Sequence, residues 1–419
     1  MKNYKLRTQL IHGQFRSKKW DYDHHVVPPM TASATFRLSG SHRGAAGFFR
    51  FACDRINPNR EVPIYIYDRL DEPTRGMLEE NLATAEGAGC CVAFASGMGA
   101  ISAALGVLCA MGEEIVAHRV LYGCTYSLMT NWLPRIGVKT TFVDLNDAKA
   151  IKAAITPRTR VVYCETPVNP SLELIDLPRV RAALGKGGNR PLLVVDNTFS
   201  TPNGQRPLEL GADVVVHSLT KGIGGFGTDM GGAVLASEKL RNELMMYRKD
   251  FGGVLSPKAA WDFLVYGLPT MSTRLEATQK SALKIAQWLE RHPKVQRVAY
   301  PGLKSFPQAK LARKQLTTPG GEFAPGAMIY FEVFDKKDDG EPGARLIDWI
   351  ATNALSITLA VSLGQIKTLI EHPYSMTHSA LPEAEKKAGG MHPGGVRLSI
   401  GLEDPDDLIS DLQQALAAV

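Results

Sequence analysis

The stretch VVVHSLTKGIGGFGTDMGGAVL, residues 214–235, decides how the chain is read. Gly222, Gly224 and Gly227 spell G-x-G-x-x-G, a dinucleotide-binding fingerprint, yet Lys221 stands directly before them, preceded by Ser218 and Thr220. A dinucleotide loop must follow its strand at once, turn tightly and open a helix whose N-terminus meets the pyrophosphate. Here His-Ser-Leu-Thr-Lys intervenes between the apolar run 214–216 and the glycines, and the residues from Met230 onward suit another strand. A lysine seated in flexible backbone fits better. An amine that forms an imine with an aldehyde must leave and return as a base, and glycines permit that movement. Taken alone, a surface lysine at a glycine-rich turn is the commoner explanation.

A second stretch shifts that balance. In LLVVDNTFSTP, Asp196 ends a nearly pure apolar strand, and a carboxylate there faces the ligand edge of a parallel sheet. Such a group can keep the ring nitrogen of a pyridoxal cofactor protonated, although a helix cap or a metal ligand would also sit there. A third stretch, FASGMGAI, places Ser96, Gly97 and Met98 between a strand and a helix, where free backbone N–H groups bind phosphate. In LYGCTY, Tyr122 can stack on a ring or fill a core.

Between about residues 75 and 250, short Val- and Ile-rich runs alternate with helical patterns. That alternation predicts an α/β core with about seven strands in a mostly parallel sheet. Residues 1–66 read as an N-terminal arm, extended over 43–66, and residues 67–255 as the cofactor-binding α/β domain. Residues 256–419 read as a smaller α+β domain that begins with a long helix over 257–291 and ends with an amphipathic helix after Asp404.

Composition narrows the class. With 44% hydrophobic and 21% charged residues the chain is globular, and an excess of +6 charges without a basic run argues against nucleic-acid binding. The cysteines, Cys53, Cys90, Cys91, Cys109, Cys124 and Cys164, lack C-x-x-C spacing, which speaks against structural zinc and for a reducing, cytoplasmic setting. No signal-peptide pattern opens the sequence. Residues 87–112 are uncharged, but their Ala, Gly, Ser and Cys content suits a strand and buried helix rather than a membrane span. His24 and His25 beside Asp21 and Asp23 lack coherent metal-ligand spacing, so no metal is expected.

In order along nearly the whole chain stand YDRLDEPT, ASGMGAI, LYGCT, ETPVNP, VVDNTFSTP, HSLTK, KDFGGVLSP, YPGL, AVSLG, HPYSMTHS and VRLSIGLED. With these the sequence resembles the Cys/Met-metabolism family of pyridoxal-phosphate enzymes, the relatives of cystathionine γ-synthase and cystathionine γ-lyase, and most of all its methionine γ-lyase branch. The resemblance implies a fold-type-I (aspartate-aminotransferase-like) transferase fold and pyridoxal 5'-phosphate as cofactor. It implies that Lys221 carries the imine, Asp196 pairs with the pyridine nitrogen, Tyr122 stacks on the ring and Asn169 meets the phenolic oxygen. Ser96, Gly97, Met98, Ser218 and Thr220 would hold the phosphate, with Tyr67 and Arg69 supplied by a neighbouring subunit of a homotetramer built from two dimers. Arg397 and Ser362 would grip the α-carboxylate of a small amino-acid substrate. Cys124, Lys249 and Asp250 tilt the reading toward a γ-eliminating carbon–sulfur lyase, with γ-replacement on an activated homoserine, or a non-thiol leaving group such as that of canavanine, as alternatives. Tyr122 would act as acid and base at the leaving atom if its pKa falls well below ~10.

The chain departs from the family pattern at Gly222, where a tyrosine is usual, and at Phe226, where a histidine is usual. Asp68, Asp71 and Glu72 depart in YDRLDEPT, and the segment 41–62 is unlike that of other members.

Overall fold

The computed structural model describes residues 4–13, 25–51, 64–185, 187–334, 342–377, 383, 386 and 390–419. His24, Asp21, Asp23 and Cys53 lie outside the described residues, as does part of the segment 41–62.

Seven strands form the first sheet: β1 (Cys90–Phe94), β2 (Glu114–His118), β3 (Lys139–Val143), β4 (Thr159–Glu165), β5 (Leu192–Asp196), β6 (Val214–Ser218) and β7 (Gly232–Ala236). Their spatial order is β1-β7-β6-β5-β4-β2-β3. Strand β7 runs antiparallel to both neighbours, and every other pairing, from β6 out to β3, is parallel. Side chains alternate between two cores. Cys91, Ala93, Val162, Cys164 and Val215 pack on one face, while Val92, Phe94, Val161, Tyr163 and Val214 pack on the other. Burial on both faces is why these strands read as unbroken apolar runs rather than alternating ones. Each fully buried Val or Leu contributes roughly 1.5–3 kcal/mol.

The uncharged stretch 87–112 becomes β1 followed by a helix, Gly97–Leu108. Among the described residues no helix is long and apolar enough to cross a membrane.

A second, five-stranded sheet has the order β10-β11-β12-β9-β8, from β8 (Val295–Ala299), β9 (Met328–Val333), β10 (Ile357–Leu359), β11 (Thr368–Glu371) and β12 (Gly395–Ser399). It packs its own core with Ile285, Phe331, Leu398 and Leu412. The final helix, Pro405–Ala418, starts at Asp404, whose carboxylate accepts from the Asp406 N–H.

One expectation needs correction. The segment 43–66 is not extended throughout, because Ser41–Arg50 forms a helix; its Gly44 and Gly47 lie against Leu38, Ile64 and Ile66 where a Cβ would crowd them. The expected long helix runs over 257–291 without a break and carries a π-helical turn, Phe263–Gly267, between Pro257–Asp262 and Leu268–Arg291. Such turns mark helices that carry an inserted residue, often near a working site.

Candidate active site

The C-terminal ends of β4, β5 and β6 converge with the β1-to-helix turn and with a loop of the second sheet. Lys221 lies just past β6. Its Nζ donates to Ser362 Oγ at 2.6 Å, and burial, followed by the charge of Arg397, lowers its pKa to about 8. Ser362 holds φ at 99°, a conformation disfavoured for a side-chain-bearing residue and one that recurs at working sites.

Arg397, on β12, is buried. Its guanidinium donates to Asn169 Oδ1 at 3.0 Å and to the Ser362 carbonyl at 2.8 Å, and it pairs with Glu371 at 2.9 Å. Burial alone would lower the arginine and raise the carboxyl; each supplies the other's counter-charge. In this arrangement Asn169 serves Arg397, in addition to the role expected toward the cofactor's oxygen.

Asp196 ends β5 and accepts from the Thr198 N–H at 2.9 Å. Its register partner across the parallel ladder is Glu165, which accepts from the Tyr122 N–H at 2.7 Å. Burial raises both carboxyls, and the neighbouring Asp196 pushes Glu165 further, well above its ordinary value. Sequence reasoning passed over Glu165, although it ends its strand as Asp196 does. It also passed over Glu371, whose partner is distant in sequence.

Ser96 caps the helix Gly97–Leu108 by accepting from the Gly99 N–H at 3.0 Å, leaving the first-turn N–H groups of Gly97 and Met98 without intrahelical acceptors. A Cβ on Gly97 would come within 2.8 Å of Ser218, so glycine is needed for this close approach. Thr220 Oγ1 accepts from the Gly231 N–H at 3.1 Å. These N–H groups and hydroxyls fit a phosphate, Lys221 fits an aldehyde, and the buried carboxylate of Asp196 fits a pyridinium, so the residues present match pyridoxal phosphate.

Tyr122 is partly exposed and receives a hydrogen bond from the Cys124 thiol at 3.5 Å. Burial first, and then that thiol, push its pKa up rather than well below the ordinary value. The condition attached to an acid–base role, a lowered phenol, is therefore not met in this chain alone.

Lys249 and Asp250 do not join Lys221. They pair with each other at 3.1 Å, and the Lys249 carbonyl accepts from Arg69 at 2.6 Å. Arg69 in turn lies over the exposed Tyr67 ring, 5.5 Å from its centroid. The Asp68 departure is structural, since its carboxylate pairs with Arg75 at 2.8 Å, and Glu72 caps the helix Pro73–Glu86.

The glycines after Lys221 serve space more than freedom. A Cβ on Gly224 would meet the Leu219 carbonyl and Phe263 at 2.7 Å, and one on Gly225 would overlap the Arg274 guanidinium. Only Gly225 and Gly227 of this loop take positive φ, 78° and 73°. The loop leads into β7, not a helix, which removes the dinucleotide reading.

The family model for Cys/Met metabolism PLP-dependent enzymes matches residues 7–417. L-methionine gamma-lyase of Fusobacterium nucleatum subsp. polymorphum is 40% identical over 420 residues, covering 100% of this chain and 99% of its own. O-succinylhomoserine sulfhydrylase of Pseudomonas aeruginosa is 41% identical over 360 residues, 86% of this chain and 85% of its own. The crystal structure of cystathionine gamma-lyase from Lactobacillus plantarum complexed with L-serine superposes with a TM-score of 0.85 at 32% identity, covering 99% of both chains.

Proposed function

The chain belongs to the Cys/Met-metabolism PLP-dependent enzymes, and on that premise we propose that it catalyses γ-elimination from a γ-substituted L-amino acid, releasing a 2-oxo acid, ammonia and the leaving group. The observation that carries this reading is the 2.6 Å contact between Lys221 Nζ and Ser362 Oγ, with Arg397 bonded to the carbonyl of the same serine. One residue thereby couples a proton-accepting amine to a carboxylate anchor.

When bound, pyridoxal phosphate supplies an electron sink that makes protons at Cα and Cβ of the substrate removable. Lys221, lowered to about 8, is partly neutral near pH 7.5 and is oriented by Ser362 to take the Cα proton. Arg397, fixed by Glu371, Asn169 and the Ser362 carbonyl, has N–H groups left over for the α-carboxylate. Asp196 presents its carboxyl at the sheet edge, where it would pair with the ring nitrogen, while Glu165 fixes the backbone of Tyr122. Tyr122, keeping its proton, donates to the departing atom, and Cys124 supports its oxygen.

The relatives named methionine gamma-lyase and the thiol of Cys124 favour elimination from a sulfur-bearing substrate. The sulfhydrylase relative keeps γ-replacement as the second reading. The exposed Tyr67, Arg69 and Asp250, with the half-buried Lys249 beside them, fit a contribution to the site of a neighbouring subunit within a dimer of dimers. Incubation with methionine, homocysteine, cystathionine, canavanine or O-acetylhomoserine, with and without a thiol, tests the reading. A 2-oxo acid released from a sulfur-bearing member without added thiol is the expected result; a product formed only with O-acetylhomoserine plus thiol would favour replacement, and no 2-oxo acid from any of them would overturn elimination.

A further inference from the structure

Arg274 touches none of the reacting groups, yet its bonds run to the loop that carries them. It rises from the helix Leu268–Arg291 and is buried, and among the described residues it has no carboxylate partner. Its guanidinium donates to the carbonyls of Gly222 at 2.9 Å, Ile223 at 3.0 Å and Gly267 at 2.8 Å, while Nε donates to Thr270 Oγ1 at 2.9 Å. Gly222 and Ile223 directly follow Lys221, and Gly267 closes the π-helical turn. Burying an arginine cation against neutral carbonyls is costly, and that cost lowers its pKa to about 10. The Phe226 ring, 5.5 Å away, adds its π-face to the cation.

The same loop is held from the other side. The Gly225 carbonyl accepts from the Ile366 N–H at 2.8 Å, and a Cβ on Gly364 would meet the Gly222 backbone at 2.5 Å. Residues 362–366 also carry Ser362, the partner of Lys221. Lys221 and Ser362 therefore sit on two backbone segments in direct contact, and Arg274 fastens the first of them to the long helix. A planar fork reaching three carbonyls fixes that segment as a single ammonium cannot.

The geometry assigns to Arg274 the role of positioning residue for Lys221: its fork across the Gly222, Ile223 and Gly267 carbonyls holds the lysine in its half-buried seat against Ser362. The glycine-rich loop is thus a close-packed clamp, and its rigidity comes from a side chain that lies outside the loop. This role rests on Lys221 being the working amine, so its test has a readout that needs neither cofactor nor substrate.

In full-length protein stripped of cofactor, the rate of Lys221 acylation against pH gives the midpoint of the free amine, expected at about 8. Arg274→Lys and Arg274→Met release the segment, and the midpoint should climb toward the ordinary lysine value of ~10.4, by roughly one unit. The shift should be larger for methionine, and smaller again for Phe226→Leu, which keeps the carbonyl bonds. In the reconstituted holoenzyme kcat should fall by about tenfold with KM changed by less than about threefold. A midpoint unmoved in Arg274 variants whose circular dichroism and melting match the parent would overturn the role. Should both variants fail to fold, Thr270→Val, which removes the Nε acceptor together with that hydroxyl's bonds to the Tyr266 and Gly267 carbonyls and leaves the guanidinium fork in place, should still raise the midpoint, and an unchanged value there would overturn it equally. A borohydride label on some lysine other than Lys221 would sink the functional reading while leaving this titration standing.

Discussion

Two groups of charged and aromatic residues invite comparison. Around Lys221, the side chains of Arg397, Glu371 and Glu165 are buried and Asp196 is half-buried, and each has a partner within the one chain. Around Arg69, the side chains of Tyr67 and Asp250 are exposed, and the contacts they make are to each other's neighbours on the same surface. Buried charge is kept where geometry must be exact to a fraction of an ångström, since desolvation strengthens each contact and penalises each error. Exposed charge of this kind gains little by itself, with pairs worth about 0–1 kcal/mol, so its use lies in what it meets. On the proposed reading the inner group would set the chemistry and the outer group would meet a second copy.

The largest effects should come from breaking the two groups separately and then together. Lys221→Ala and Arg69→Ala should each lose about 10²–10⁴-fold in kcat/KM as pure proteins. If the outer group completes a neighbour's site, unfolding and refolding the two variants together should restore roughly a quarter of wild-type activity, because half of randomly formed two-fold dimers then carry one intact site. Absence of any restoration, measured as turnover of the mixed sample, would confine the outer group to its own chain.

A smaller effect should follow from Arg397→Lys. The ammonium keeps the charge opposite Glu371 but cannot serve Asn169, the Ser362 carbonyl and a carboxylate at once, so KM should rise about 10–100-fold with a lesser change in kcat. Steady-state kinetics on the best substrate of the panel would show it. Smallest should be Cys124→Ser: the thiol gives Tyr122 only a weak 3.5 Å bond, and kcat/KM should change by about two- to fivefold.

Much of the fold was legible because both faces of the first sheet are covered, which writes each strand as a dense apolar run, and because Asp196 ends one run and Lys221 lies just past the next. The helix Ser41–Arg50 goes against the extended reading, because scattered aromatics and the Asn-Pro and Val-Pro pairs of 43–66 point to extended chain, while the contacts of Gly44 and Gly47 exist only once Leu38 and Ile66 are placed. The π-helical turn was invisible because its hydrophobic pattern continues through the long helix. Within the site, Glu371 and Arg274 were passed over for one reason. Each acts on a residue far away in the chain, and nothing in its local sequence marks it. Lys249 and Asp250 stand with Arg69 rather than with Lys221, and their sequence is silent on that, because the order of residues does not tell which side chains a surface gathers.

The central claim is that Lys221 is the amine that holds the cofactor. Full-length protein loaded with pyridoxal phosphate, reduced with borohydride, digested and sequenced by mass spectrometry tests it most directly. The expected result is a reduced pyridoxyl group on the peptide containing Lys221, with the visible absorbance band of the loaded protein lost on reduction and absent from Lys221→Ala. A label on another lysine, or no band in the native protein, would contradict it.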